Sequence, residues 1–503
     1  MLTRIEFQVD ALERDALDIL HLVRSWRNRL APINRVPPEV LSLIPDFCSG
    51  RGRDKAIIAL THVCRTWREV FTSRSSLWTD LDCADADKTR VYLERSKSSP
   101  LSLWLDRDGG LLPHDPFLQI APHAFGQLGR LSIYTTPDHL QEITNCLSCP
   151  APLLKDLNIF GSSNDPFLYP ALAATLFSGD LPSLRRLCLH SVSTELPWRN
   201  MGDLTTFTLG FVLHPEVTVG QFLDFFESTP RLLDVELTFA TPAEGVQNGR
   251  LVSLAHLRKL LIYGSPSSPL LDHLLIPAGA KMTIELELEL ELEPDLLGLE
   301  IEDYLPKSLD NLRNLSDFTK IRLRLRPERS FRSIEFIGSN GQVCLATMYP
   351  EPDTTHLVSQ FLALLDTSKA DWLEIVGSAP LTEDLHRALL SIKNLRTLTL
   401  SLCENLHSFI LALDPDPNSI NPIPCPQLER LVFRTKERFD IEIMVEVAAA
   451  RASGGAPFKF VRIINCGEHV PKEGMMELLK HVSHVETSYE IYDEAYNYGD
   501  GEN

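Results

Sequence analysis

The chain has 503 residues, 44% of them hydrophobic and 23% charged, and a formal net charge of −20. Such a composition is ordinary for a folded protein, and the length predicts two or three domains or one long repeat array. The acidic balance argues against nonspecific nucleic-acid binding, which depends on neutralising phosphates, and no run of about 18 apolar residues predicts a membrane span.

Ten cysteines are scattered, at 48, 64, 83, 146, 149, 188, 344, 403, 425 and 466, with no dense framework. Met1-Leu2-Thr3-Arg4 leads into a mixed charged segment, so no secretory leader is expected. A reducing compartment, cytoplasmic or nuclear, fits this cysteine usage.

Residues 1–32 hold an amphipathic helix. Leu12, Ala16, Ile19, Val23, Trp26 and Leu30 fall at three- and four-residue spacings, and Pro32 stops the run. Two uses are open: a short coiled-coil arm, or a helix packed on the next module. The stripe over 10–30 is shorter than the three or four heptads expected of a coiled coil, which favours packing.

Residues 33–82 form the most informative stretch. Val36-Pro37-Pro38-Glu39 reads as a helix start, because proline loses no hydrogen bond in a first turn and glutamate there faces the positive helix end. Val40, Leu41 and Ile44 follow as a short apolar stripe, ended by Pro45 and a polar run around Ser49–Asp54. A second helix is expected to carry Ile57, Leu60, Val63, Cys64, Trp67 and Val70 on one face, and Leu77-Trp78 closes the unit.

The order Val36-Pro37-Pro38-Glu39-Val40-Leu41, then Val63-Cys64-Arg65-Thr66-Trp67-Arg68, then Leu77-Trp78 resembles the F-box. It departs at Val36, where leucine is usual, and in a charged spacer before Ala56 that is about four residues longer than the family pattern. The resemblance implies a Skp1-like adaptor as partner, and through it a cullin, with Val36, Pro37, Leu41, Ile44, Val63, Cys64 and Trp67 at the contact. Read from pattern alone, the same stretch could be a small helical bundle capping the next domain.

Residues 83–124 read as a linker helix, Asp85 to Ser96, and a first strand at Pro100–Leu105. Arg95-Ser96 ahead of Pro100-Leu101 is similar to many F-box proteins of mushroom-forming fungi.

Across 125–485 one theme recurs: apolar, two residues, apolar, one residue, apolar. The copies are Leu128/Leu131/Ile133, Leu154/Leu157/Ile159, Leu184/Leu187/Leu189, Leu204/Phe207/Leu209, Leu232/Val235/Leu237, Leu257/Leu260/Ile262, Leu395/Leu398/Leu400 and Leu428/Leu431/Phe433. Their spacing straddles the leucine-rich repeat period. Helix-like segments such as Val219–Phe226 lie between copies, so strand, crossover and parallel strand is the implied unit. The position that would bear Asn or Cys holds Cys403 in one copy only. The expected fold class is therefore α/β: an N-terminal all-α F-box, then an irregular leucine-rich-repeat-like solenoid with a curved parallel sheet. A doubly wound α/β domain is the alternative.

Two segments interrupt the rhythm. Ile284–Glu293 alternates glutamate with aliphatics, and Lys320–Arg326 alternates basic residues with aliphatics. Each is expected to be a strand with its charges on one face. Residues between them could form a crossover, which predicts adjacent parallel strands with glutamates facing arginines; an acidic strip that binds a basic target is the alternative.

If the motif residues point inward, the intervening side chains line the other face. This places Arg130, Ser132 and Tyr134 beside Asp156, Asn158 and Phe160, then Arg186, Cys188 and His190, then Lys259, Leu261 and Tyr263, and later Arg430, Val432 and Arg434. Arg130, Tyr134, Phe160, Arg186, His190, Tyr263, Arg430 and Arg434 are the candidate target-binding residues, because tyrosine and arginine dominate binding hot spots. They could equally be covered and structural.

No catalytic residues, metal ligands or cofactor are expected. Cys146-Leu147-Ser148-Cys149 is a lone CxxC without a partner pair, and no P-loop, dinucleotide fingerprint, nucleophile elbow or HExxH occurs. Residues 486–503 read as an acidic flexible tail. The expected function is that of a non-catalytic substrate-recognition adaptor of an SCF-type ubiquitin ligase. Two other functions stay open: a leucine-rich interaction scaffold with a decayed F-box, and an enzyme built from scattered residues.

Overall fold

The computed structural model describes residues 2–488 apart from connecting segments, the longest being 108–116, 118–123, 162–170, 195–200, 211–216, 241–248, 287–305, 349–361 and 416–422. Two compact units divide the chain. One comprises residues 1–162 with 175–184, the other 163–174 with 185–503.

The first unit opens with helices α1 (Leu2–Leu30), α2 (Pro38–Leu41), α3 (Arg53–Thr61) and α4 (Arg65–Ser73). The proline-led start holds: Pro37 is the extended N-cap of α2 and Pro38 its first helical residue. The single helix expected around Val63 is instead two. Cys64 is extended, with φ −160° and ψ 176°, and caps α4, so Val63 and Cys64 sit in the break between helices. Arg68 Nε donates to the Thr61 carbonyl at 3.1 Å and satisfies the end of α3 there.

The expected packing of α1 on this module does not occur. None of its described residues is buried, and Leu12, Ile19 and Trp26 are 68%, 63% and 57% exposed. The turn after α1 closes on itself, with Asn34 Nδ2 donating to the Asn28 carbonyl at 2.6 Å. The module holds the helix by its end and leaves its length uncovered.

Strand β1 (Asp80–Asp82), helix α5 (Ala86–Ser96), β2 (Leu101–Arg107), β3 (Leu128–Thr135), α6 (Pro137–Cys146) and β4 (Asp156–Gly161) complete the first unit. Asp85 caps α5 by accepting from the N–H groups of Asp87 and Lys88. The four strands pair in chain order and in parallel.

The second unit continues the same construction. Its strands are β5 (Arg186–His190), β6 (Thr206–Gly210), β7 (Asp234–Thr238), β8 (Lys259–Tyr263), β9 (Lys281–Leu286), β10 (Phe318–Arg326), β11 (Phe331–Gly338) and β12 (Val343–Met348). They are followed by β13 (Trp372–Ser378), β14 (Thr397–Glu404), β15 (Arg430–Thr435), β16 (Phe460–Asn465) and β17 (His484–Ser488). Helices α7 (Val219–Ser228), α8 (Thr382–Ser391), α9 (Ile441–Ser453) and α10 (Lys472–Leu478) serve as crossovers. A capping box between Thr218 and Gln221 starts α7, which buries Phe222, Leu223, Phe225 and Phe226.

Every residue of the eight motif copies is at most 3% exposed. Burial on this scale is the main stabilising term for a repeat fold, at about 1.5–3 kcal/mol for each large aliphatic side chain. The backbone repeats with them. The N–H just before a strand donates to a carbonyl at the start of its neighbour: Lys155 to Gly129, Leu233 to Thr205, Arg258 to Leu233, Glu429 to Arg396 and Lys459 to Glu429. Long parallel sheets with crossovers thus give a leucine-rich-repeat-like α/β fold.

The charged strands correct the sequence reading. β9 pairs in parallel with β8 and β12, while β10 pairs antiparallel with β11 and parallel with β13. β11 and β12 stand between the acidic and basic segments, so they are not adjacent. Opposite charges do meet across the sheet, but with another partner: Arg322 on β10 is in register with Glu374 on β13, and Nε reaches Oε2 at 2.6 Å. β9 and β10 run parallel to one another as the sequence predicts, but β10 stands beyond β11, which is antiparallel to both its neighbours. Glu287, Glu289, Glu291 and Glu293 lie outside the described residues.

Candidate functional site

Two kinds of surface carry the residues singled out by sequence. The first is the helical module. Leu41, Ile57, Trp67, Phe71, Leu77 and Trp78 form its core, each 7% exposed or less. Trp67 lies edge-on to Phe71, with ring centroids 5.5 Å apart, and donates its indole N–H to Asn34 Oδ1 at 2.6 Å. Trp78 donates to the Phe71 carbonyl at 3.0 Å and takes the Arg95 guanidinium over its ring at 4.4 Å. Arg74 binds the Ser42 carbonyl and the Asp46 carboxylate, which ties the segment after α2 to the end of α4.

This geometry sorts the expected contact residues. Leu41 and Trp67 are buried in the core of the module. Val36, Ile44 and Cys64 are half-buried, and Pro37 and Val63 are exposed. The sequence reading did not place Val40, Leu43 and Phe47 at the contact, and they are 51%, 50% and 86% exposed. They stand at i, i+3 and i+7 through α2 and the short 3-10 turn Ile44–Phe47. That spacing was available in the sequence and marks one face. Ile58 and Val63 add exposed apolar surface on and just after α3.

The second surface is the sheet face opposite the motif residues, taken unit by unit. In the first unit Trp104, Tyr134 and Phe160 stack across three strands. Centroid distances are 4.8 and 4.5 Å, with rings 21° and 3° from parallel. Trp104 is 47% exposed and was overlooked, although the alternation of Leu101, Leu103 and Leu105 already turned it outward. Arg130 pairs with Asp156 at 3.1 Å, and Asn158 Nδ2 donates to Ser132 Oγ at the same distance. The predicted row of Arg130, Tyr134 and Phe160 is therefore one connected patch.

In the second unit Arg186 is exposed, while Cys188, His190 and Tyr263 are half-buried. The His190 ring lies over Gly210, where a Cβ would come within 2.7 Å of Cδ2. Burial pushes the Cys188 thiol up to about 11, with Glu236 adding to the effect, and burial lowers His190. The thiol is held protonated, which disfavours it as a nucleophile. Tyr263 meets Phe239 edge-on at 5.2 Å. Farther along, the Arg430 guanidinium sits 4.8 Å over Phe460, which stacks on His484 at 5.4 Å; Arg434 is exposed.

Cys146 donates to the Glu142 carbonyl at 3.3 Å, and its thiol is raised by burial and then by Glu142. Among the described residues no group of three or more His, Cys, Asp or Glu is placed to hold a metal ion, and no helix is long and apolar enough to cross a membrane. Comparison with models of known protein families and with curated proteins finds no match.

Proposed function

We propose that this protein is a non-catalytic adaptor in which residues 33–82 dock on a Skp1-like adaptor of a cullin ligase and the repeat units capture a target for ubiquitination. One observation carries the reading. A small helical module with its own core leaves Val40, Leu43 and Phe47 exposed within one short stretch, at i, i+3 and i+7. Large apolar groups clustered this way mark a protein-contact surface. The order of helices and of Pro37-Pro38, Trp67 and Leu77-Trp78 is that of the F-box resemblance. Bound together, ligase and target gain effective concentration without bond chemistry in this chain. Partner copurification with Val40→Asp/Phe47→Asp is the test. The double variant is expected to keep its fold and lose the Skp1-like adaptor. Undiminished copurification, or none with the unaltered protein, supports the alternative of a leucine-rich interaction scaffold with no ligase role.

A further inference from the structure

Helix α1 starts at Leu2, which lengthens its apolar stripe beyond the reach visible from residue 10 onward. Leu2, Ile5, Val9, Leu12, Ala16, Ile19, Val23, Trp26 and Leu30 now alternate at three and four residues without a break. This is a heptad seam of about four repeats, the length at which coiled-coil pairing becomes the expected use. Val9, Leu12, Ile19, Val23, Trp26 and Leu30 are all 48–68% exposed. An amphipathic helix of 29 residues, none of whose described residues is buried, draws little stability from its own backbone, and a partner surface supplies what packing would.

Charge identifies the partner. Residues 10–18 carry Asp10, Glu13, Asp15 and Asp18 against Arg14 alone, whereas residues 21–30 carry Arg24, Arg27 and Arg29 and no acid. Two copies side by side in parallel would set acid on acid and base on base. Two antiparallel copies lay each acidic half along the other's basic half. With Leu12 beside Leu30 of the second copy, Ala16 beside its Trp26 and Ile19 beside its Val23, the seam closes in register from Leu12 to Leu30, and Glu13, Asp15 and Asp18 come opposite Arg29, Arg27 and Arg24. Leu20 and Leu22, 42% and 51% exposed, flank the seam and widen it. The apolar seam supplies the affinity, and the charges set orientation.

We infer that α1 pairs antiparallel with α1 of a second copy of this chain, making the protein a dimer through its N-terminal arm. Sedimentation equilibrium of the full chain at low salt tests it. A concentration-dependent mass twice that of the chain is expected, and Leu12→Asp/Ile19→Asp should return it to monomer while the repeat units stay folded, since neither residue is buried in them. Arg24→Glu/Arg27→Glu/Arg29→Glu should weaken self-association by about tenfold or more. Adding Asp10→Lys, Glu13→Lys, Asp15→Lys and Asp18→Lys to that variant should restore it. In a parallel pair, the complete reversal would leave like charges together and gain nothing over the triple variant. A chain that stays monomeric at every concentration, or a complete reversal that fails to recover association, overturns the proposal.

Discussion

Trp67 Nε1 and Asn34 Oδ1 lie 2.6 Å apart, so one hydrogen bond fixes α4 to the turn that ends α1. The tryptophan that sequence reading offered as a partner contact is thus an internal strut. Trp67→Phe keeps the ring and deletes the donor, leaving Asn34 half-buried without it. We expect a loss of about 0.5–1.5 kcal/mol in urea denaturation, against about 3–5 for Trp67→Ala. Equal losses for both variants would show that the hydrogen bond, not the ring, holds the module together.

Arg451 on α9 is fully buried and donates to three carbonyls: Leu413 at 3.3 Å, Pro424 at 2.7 Å and Cys425 at 3.0 Å. Its cation also lies 4.7 Å over Phe458, and burial lowers its pKa to about 10. Removing the donors would strand the carbonyls. Arg451→Met should cost more than about 2 kcal/mol, the range for buried polar groups left unsatisfied. A denaturation midpoint unmoved by this change would mean that water replaces the guanidinium.

His190 titrates lower in the folded chain than its ordinary value of 6.5, because it is half-buried. The unfolded chain therefore takes up the proton first, and stability present above pH 6.5 is lost as pH falls below it. Urea midpoints at pH 7.5 and 5.5 should separate for the unaltered protein and separate less for His190→Gln. An identical separation in both would assign the acid sensitivity elsewhere.

Tyr134 stacks on both Trp104 and Phe160. Each such aromatic pair contributes about 0.5–1.5 kcal/mol beyond the area it buries. Tyr134→Ala should therefore lower the stability of the first unit modestly and also weaken target capture, while Arg130→Ala lowers capture with little effect on stability. Thermal melts alongside target copurification separate the two effects. Capture unaffected by either change would remove this face from the binding surface.

The repeat architecture was legible because its signal is local. Three buried apolar residues at fixed offsets recur, and each copy lands on a strand. Copies without the leading leucine carry a weaker signal: Ala370/Leu373/Ile375 and Phe458/Val461/Ile463 occupy the same positions and are equally buried. Cys403 was singled out as a ladder residue, and its thiol donates to the Ile375 carbonyl of the preceding strand at 3.4 Å. Strand neighbours were not legible. Alternating charge says which face a side chain takes, but not which strand lies alongside, and Arg322 found Glu374 although a run of glutamates was nearer in sequence. In the helical module, exposure followed from the break at Cys64, which apolar periodicity cannot signal.

The antiparallel strand β11 has a kinetic consequence. Either side of it, neighbours in the sheet are also neighbours in sequence, and ordering can spread from one strand to the next by closing short loops. That propagation stops at the two edges of the antiparallel run β10–β11–β12, because joining β9 to β12 brings Thr283 to Leu345 and joining β10 to β13 brings Lys320 to Trp372. Closing such long loops precedes any gain from the contacts they make. The second unit should therefore order as two flanks and a three-strand meander that nucleate independently, with the joining of the meander to β9 and β13 setting its slowest refolding step.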